Sequence, residues 1–247
     1  MLPDLDLIRH LEAVADRAWP PGQVHELDGW QMLVTGPGIG RRVNCVAPLA
    51  AGVMPLEDKV AAAEAFYQER GLAPIFKLTR AAQPPGLEEF LEARGYRVDA
   101  PVVIMTRALE PEMWPGDLPA APTPDWLAAN AAVPSHYGAA PEAFLALIGR
   151  IRPPKGFAAV QAEDGVAAVG MAVADGEWVG LFEIGTIPAC RRRGLARQVV
   201  ERLLAWGAAR GAERAHLQVM EANTAARALY AGLGFTEAYR YWYRVGG

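Results

Sequence analysis

The stretch IPACRRRGLARQVVERLLAW, residues 187–206, decides how this chain is interpreted. Three arginines precede Gly194, and apolar residues then recur at helical spacing up to Trp206. The first N–H groups of a helix lack intrahelical partners, and the helix dipole adds partial positive charge, so such an end attracts anions. Gly194 lets a ligand approach the backbone closely, and guanidinium groups offer forked donors to phosphate. We therefore expect a diphosphate-binding loop here.

Two other interpretations of this stretch are possible from its residues alone. A solvated arginine run that begins a helix is the simpler one, and three arginines taken alone favour it. A P-loop is excluded because the chain contains no G-x-x-x-x-G-K-S/T pattern. The strand, turn and helix that the surrounding sequence predicts favour the diphosphate loop, because open α/β sheets bind ligands at the carboxyl ends of strands.

The composition is that of an ordinary globular protein. The 247 residues carry a net charge of −4 without a basic face, which argues against a nucleic-acid partner. The cysteines, Cys45 and Cys190, are too few for a disulfide framework, and no Cys/His cluster has the spacing of a zinc site. No apolar run approaches the ~18–20 residues of a membrane helix, and the first ten residues lack a signal-peptide core. We expect a cytoplasmic protein.

Hydrophobic periodicity predicts alternating helices and strands. Helices are predicted at 4–17, 57–70, 86–95, 124–132, 141–151, 194–210 and 223–235. Strands are predicted at 29–36, 41–49, 74–79, 97–109, 215–220 and 236–245, with three antiparallel strands joined by Asp-Gly turns within 156–187. The glycines of 36–40 are expected to form a hairpin turn. The pattern predicts an α/β fold with a mixed, mostly antiparallel central sheet flanked by helices.

An internal repeat suggests two domains of one fold. Helix, glycine and strand recur around Gly71 and Gly211, and again around Gly95 and Gly234, with separations of 24 and 23 residues within the two copies. Such punctuation is also common in unrelated α/β proteins, but two matches in the same order favour duplication. The proline-rich segment 111–124 is the expected linker between domains 1–110 and 125–247. The first copy contains no counterpart of RRRGLA, so we expect the second to carry the chemistry.

Two motifs of the second half resemble one known superfamily. The pattern R-x-x-G-x-A, residues 191–196, resembles the coenzyme A signature of the GNAT N-acetyltransferases. The stretch LQVMEANTAARALYAGLGF, residues 217–235, is similar to a second pattern of that superfamily, and the tandem layout resembles its two-domain members. The resemblance implies acetyl-CoA as the donor, no metal, and direct attack by an amine of a small molecule or peptide. A non-catalytic acyl-CoA-binding or regulatory module remains the alternative.

The resemblance also assigns roles to individual residues. The residues expected to contact the coenzyme are Ile184, Gly185, Thr186, Ile187, Arg191, Arg192, Arg193, Gly194, Leu195, Ala196, Asn223, Ala226 and Tyr230. Tyr230 is the expected general acid at the leaving sulfur, because a phenol is protonated at neutral pH.

Glu183 is the leading candidate for the general base that deprotonates the amine. Its alternatives are a water chain and the weaker candidates His216, Glu221 and His136. Cys190 lacks a His and Asn/Asp partner in the sequence, so a covalent acyl-enzyme is disfavoured. The aromatic last strand, which includes Tyr239, Tyr241, Trp242 and Tyr243, is more typical of a core or an interface than of a substrate pocket, and the chain is compatible with a homodimer.

Overall fold

The structure is a computed structural model that describes residues 4–110, 116–134 and 141–246. Seven α-helices are found in these residues: α1 Leu5–Ala18, α2 Leu56–Gln68, α3 Leu87–Ala93, α4 Pro124–Ala132, α5 Pro141–Arg150, α6 Leu195–Ala208 and α7 Thr224–Ala231. They alternate with ten strands: β1 Gln23–Leu27, β2 Trp30–Val34, β3 Val46–Pro48, β4 Ile75–Thr79, β5 Arg97–Ala108, β6 Lys155–Ala162, β7 Gly165–Asp175, β8 Trp178–Thr186, β9 Arg214–Met220 and β10 Thr236–Val245. The predicted mixed α/β fold is confirmed.

The chain forms two compact units, and both are discontinuous in sequence. The first contains the residues up to Val103, the short segment Met220–Ala222 and the residues from Tyr239 onward. The second contains Ile104–Val219 and Asn223–Ala238. Strands β5 and β10 therefore each contribute residues to both units. Among the residues that the structure describes, no helix combines the length and apolar character that crossing a bilayer requires.

The sheet of the first unit runs in the order β1, β2, β3, β4 and β10. Strands β3 and β4 are parallel, whereas the other neighbouring pairs are antiparallel. Apolar side chains from β2, β4, α2 and α3 form its core, in which Trp30, Tyr67, Phe76 and Leu91 are fully buried. The tyrosines of β10, Tyr239, Tyr241 and Tyr243, are also buried in this unit, so this strand is part of a core.

The first unit differs from the prediction in two places. Strand β1 was missed because its five residues are largely exposed and polar, so they leave no apolar pattern. Residues 41–49 contain the short 3-10 helix Arg41–Val43 and only a three-residue strand. Asn44 causes this difference, because its side chain accepts the N–H groups of Thr35 and Gly36 and thereby organises a loop. The glycines of 36–40 lie within this longer loop between β2 and β3.

The second unit contains the strand order β6, β7, β8 and β9. Asp-Gly turns join the antiparallel strands β6, β7 and β8, as the sequence predicts. Strand β9 follows α6 and is parallel to β8, so the predicted order β-β-β-α-β-α-β is confirmed for residues 155–245. Helix α6 packs on β6, β7 and β8 with Val199, Val200 and Leu203 buried, and α4 packs on β7 and β8.

Candidate active site

Strands β8 and β9 separate before β8 ends. Their parallel pairing covers only Trp178–Leu181 of β8 and Arg214–Leu217 of β9. On its other side, β8 remains paired with β7 as far as Thr186. The stretch 182–186 therefore has one backbone edge that no described strand pairs. Such an edge offers alternating N–H and C=O groups to an extended ligand.

A β-bulge lies at the start of this open edge. Glu183 and Ile184 together stand opposite Gly170 of β7, and Glu183 has a positive φ of 49°. A bulge bends its strand and redirects the side chains around it. Gly185 follows directly, where a Cβ would come within 2.6 Å of Val133 at the end of α4. The close packing of α4 on β8 therefore depends on glycine at this position.

Glu183 is the titratable residue at the bulge. Its side chain is half-buried, and Asn130 Nδ2 donates a hydrogen bond to Glu183 Oε2 at 3.3 Å. Burial raises the pKa of Glu183 to about 7, and the hydrogen bond from Asn130 opposes this shift. A carboxyl group with such a pKa exchanges its proton near neutral pH, as a general base requires.

The N-terminus of α6 follows β8 after the 3-10 helix Pro188–Cys190. Gly194 caps it with φ 76°, no side chain closes the cap, and a Cβ there would meet nothing within 4 Å. The N–H groups of Leu195 and Ala196 have no acceptor among the described residues. The arginines at 191–193 are exposed around this turn. The result is an open cationic turn with unused backbone donors, which are the properties of an anion site.

Helix α7 carries Asn223 and Tyr230. Asn223 is the N-cap, and its side-chain oxygen accepts the N–H of Ala226 at 3.1 Å. Tyr230 is 6% exposed and packs edge-on against Phe235, and its hydroxyl has no hydrogen-bond partner among the described residues. Burial raises the pKa of Tyr230 to about 12, so its hydroxyl stays protonated throughout the neutral range.

Helix α7 is held beside the start of α6 by an arginine that follows the cationic turn. Arg197 donates to the carbonyl of Gly232 at 2.8 Å and to Glu201 at 3.0 Å. Arg191 also donates to the carbonyl of Thr186, at 3.4 Å, which connects the turn to the end of β8. Sequence reasoning did not single out Arg197 or Asn130, because their partners lie 35 and 53 residues away.

The weaker candidates for the base differ in position. His216 is buried between the rings of Trp178 and Phe182 in the second unit. Glu221 belongs to the first unit and pairs with Arg240. His136 lies outside the described residues. Of these candidates and Glu183, only Glu183 is placed by the described residues on the open edge of β8.

Comparisons with known proteins agree with this architecture. A family model described as "Probable histone acetyltransferase Rv0428c C-terminal" matches residues 6–244. The chain is 29% identical over 250 residues to the uncharacterized N-acetyltransferase YobR of Bacillus subtilis, covering 98% of this chain and 99% of that protein.

Solved structures share the fold at low sequence identity. A GCN5-related N-acetyltransferase from Kribbella flavida superposes with a TM-score of 0.65 at 14% identity, covering 96% of this chain and 95% of that one. A tandem GNAT protein from the clavulanic acid biosynthesis pathway gives a TM-score of 0.60 at 12% identity, covering 77% of this chain and 70% of that one.

The fold, the two motifs and these relatives define an acetyltransferase of the GNAT superfamily. The resemblance predicted from residues 191–196 and 217–235 is therefore confirmed. Within that superfamily, the chain belongs to the family whose model carries the Rv0428c C-terminal description, since that model matches nearly the whole chain.

Proposed function

We propose that this chain is an acetyl-CoA-dependent N-acetyltransferase, in which an amine attacks the thioester directly in a ternary complex. The proposal is supported by two structural features that follow each other directly along the chain. The unpaired edge of β8 at 182–186 leads, within eight residues, into the open cationic turn at Gly194. An extended, amide-bearing arm that ends in a diphosphate matches both features.

The described residues fit coenzyme A as follows. The N–H groups at 192–196 and the arginine side chains would hold the pyrophosphate. The open edge at Ile184, Gly185 and Thr186 would pair with the amides of the pantetheine arm, and Asn223 would contact that arm from α7. The backbone of Ile187 is already engaged, because its N–H donates to the carbonyl of Ala167 and its carbonyl accepts the N–H of Cys190. The bound thioester supplies an activated acetyl group, and an N–H on the bulged strand would polarise its carbonyl.

Glu183 would act as the general base. An amine acceptor binds as an ammonium ion and must lose a proton before it attacks. With a pKa of about 7, Glu183 is ionised above neutral pH and accepts that proton. We therefore expect kcat/KM to rise with pH up to about 7 and then to reach a plateau, until the remaining groups titrate.

Tyr230 would act as the general acid. Its protonated hydroxyl is held in an apolar environment beside Phe235 and has no acceptor among the described residues, so it is available to the departing sulfur.

The first unit would be a second copy of the same fold without chemistry. In support, β3, α2 and β4 repeat the parallel arrangement of β8, α6 and β9, and Gly71, Gly95, Gly211 and Gly234 all have positive φ.

The test combines coenzyme binding with turnover. Calorimetry should detect acetyl-CoA binding, and thiol release on a panel of small amines and N-terminal peptides should identify the acceptor class. Glu183→Gln should lower kcat by about 100-fold or more, whereas the matched surface variant Glu163→Gln should remain within twofold of the unmodified protein. Failure to bind at millimolar acetyl-CoA would refute the proposal. Binding without turnover on any amine would favour a non-catalytic coenzyme-binding module.

A further inference from the structure

Helix α4 and the residue that follows it contact the bulge region through three side chains. Trp126 donates its indole N–H to the carbonyls of Ala158 and Gly170, at 2.9 and 3.3 Å, and stacks on Phe144. Four residues later, Asn130 reaches Glu183. Three residues further on, Val133 fills the space above Gly185. The spacing i, i+4 places Trp126 and Asn130 on the same helix face. Val133 is the residue that caps the C-terminus of the helix.

Asn130 is itself buried, with 7% of its surface exposed. The surrounding packing therefore holds the side-chain amide of Asn130 against Glu183, unlike the amide of a side chain exposed at the surface. Trp126, 1% exposed, fixes the preceding turn of the helix. The donor is an amide, which gives a hydrogen bond to a carboxylate but does not titrate at ordinary pH. This contact favours the ionised form of Glu183 over the neutral form.

We propose that Asn130 is the positioning residue for Glu183: its amide holds the carboxylate in one orientation at the bulge and donates a hydrogen bond to the ionised form. This inference rests on the proposed function in so far as Glu183 is the base. The pairing itself is a property of the free protein. It can therefore be tested without coenzyme or acceptor.

Few other groups compete with Asn130 for control of Glu183. Among the described residues, burial and the hydrogen bond from Asn130 are the two influences on the pKa of Glu183, and no charged neighbour adds to them. On α4, the one acidic side chain in the described helix is Asp125, which is exposed. On β7, the residue opposite the bulge is Gly170, which has no side chain. Removal of the amide donor should therefore leave desolvation unopposed.

The experiment uses the full chain with 13C-labelled glutamate carboxyl groups. The Glu183 resonance is assigned by its absence from Glu183→Gln, and its titration is followed by NMR in the unmodified protein and in Asn130→Leu, which has similar volume but no donor. We expect the midpoint to rise by about one pH unit, since a hydrogen bond to a charged group stabilises it by roughly that amount. A midpoint within 0.2 units, on the order of the measurement error, overturns the proposal.

Kinetics give a second and independent readout. In Asn130→Leu, the acidic limb of the kcat/KM profile should move upward by the same amount, while KM for acetyl-CoA stays unchanged. A merely structural role for Asn130 would lower the melting temperature and the plateau rate but would leave the limb in place. Should Asn130→Leu not fold, Asn130→Ser, whose hydroxyl is too short to reach Glu183, is expected to shift the titration in the same direction. If the unmodified protein acetylates nothing, the proposed function fails, yet the NMR titration still decides the pairing.

Discussion

Asp28 and Lys59 form an ion pair inside the first unit, with 3.2 Å between Asp28 Oδ2 and Lys59 Nζ. The Lys59 side chain is fully buried, and it also donates to the backbone carbonyls of Asp28 and Ala51. The carboxylate of Asp28 accepts the N–H groups of Val53 and Met54, at 2.9 and 2.8 Å. These two backbone donors hold the pKa of Asp28 below its usual value. An internal carboxylate thus occupies a loop that would otherwise present free N–H groups.

This loop corresponds to the cationic turn of the second unit. Each follows a strand and precedes the helix that leads to a parallel partner strand. Gly52 has φ 68° in the first loop, and Gly194 has φ 76° in the second. A Cβ on Gly52 would lie 2.0 Å from Asp28 Oδ2, whereas one on Gly194 would meet nothing within 4 Å. The same kind of turn is filled by the chain itself in one unit and open in the other.

We therefore expect each chain to bind a single coenzyme. Calorimetric titration with acetyl-CoA should give a stoichiometry of one. Ala196→Glu places a carboxylate at the open turn and should weaken binding by about 100-fold or more, since a like charge facing the pyrophosphate costs several kcal/mol. The matched variant Val53→Glu, at the exposed tip of the filled loop, should retain the original affinity. A stoichiometry of two, or a loss of binding in Val53→Glu, would contradict this expectation.

The raised pKa of Glu183 predicts a pH-dependent stability cost that is independent of catalysis. Its pKa is about 7 in the folded chain and 4.5 as a free group, so the folded state binds the proton more tightly between those values. Stability contributed by the protonated form is complete below pH 4.5 and is lost as pH rises to 7. Glu183→Gln removes this dependence. It should be more stable than the unmodified protein by up to about 3 kcal/mol above pH 7.

Urea unfolding at several pH values measures this difference. At pH 4.5 and below, the two proteins should have similar stability, because both carry a neutral side chain at position 183. The exposed control Glu163→Gln should show no comparable trend with pH. A constant difference between Glu183→Gln and the unmodified protein across the whole range would mean that Glu183 titrates normally in the folded state.

Tyr230→Phe should separate the acid role from packing. The substitution removes a hydroxyl that has no described protein partner, so the fold and the contact with Phe235 should survive. We expect kcat to fall by about 100-fold, the lower range for loss of a general acid. The melting temperature and the affinity for acetyl-CoA should stay close to the original values. An unchanged kcat would show that the thiolate leaves without help from this residue.

The sequence predicted those elements whose own residues carry a strong pattern. Helix α6 was predicted at 194–210 and is found at Leu195–Ala208, because its apolar residues recur at 3.6-residue spacing and Gly194 marks its start. The Asp-Gly turns of the second unit were predicted equally well from their residues. Strand β1 was not predicted, since an exposed edge strand has no buried face to produce an alternation of apolar and polar residues.

The features of the candidate site that the sequence did not predict are created by contacts between residues that are distant in the chain. Neither the positive φ of Glu183 nor its bulge has a local signal, because glycine or asparagine normally marks such a conformation. The contact from Asn130 spans 53 residues and exists only because α4 packs on β7 and β8. The hydrogen bonds from the N–H groups of Val53 and Met54 to the carboxylate of Asp28 depend in the same way on tertiary packing. Local sequence patterns therefore predicted the helices and strands, whereas tertiary packing determined the surroundings of the carboxylates of Glu183 and Asp28.

Lys77 and Glu12 form a buried ion pair in the first unit. Lys77 is 4% exposed and pairs with Glu12, which also accepts the hydroxyl of Tyr239 at 2.6 Å. Burial would lower the pKa of Lys77, but the charges of Glu12 and Asp16 outweigh it, so the pKa of Lys77 is raised and the ammonium persists.

Glu12→Gln leaves the Lys77 cation without its closest anion. The free energy of unfolding should fall by about 3–5 kcal/mol. The exposed pair of Arg197 and Glu201 is the control, and Glu201→Gln should cost less than about 1 kcal/mol in the same urea titration. Equal effects of the two substitutions would mean that the Lys77 pair is solvated in the folded chain.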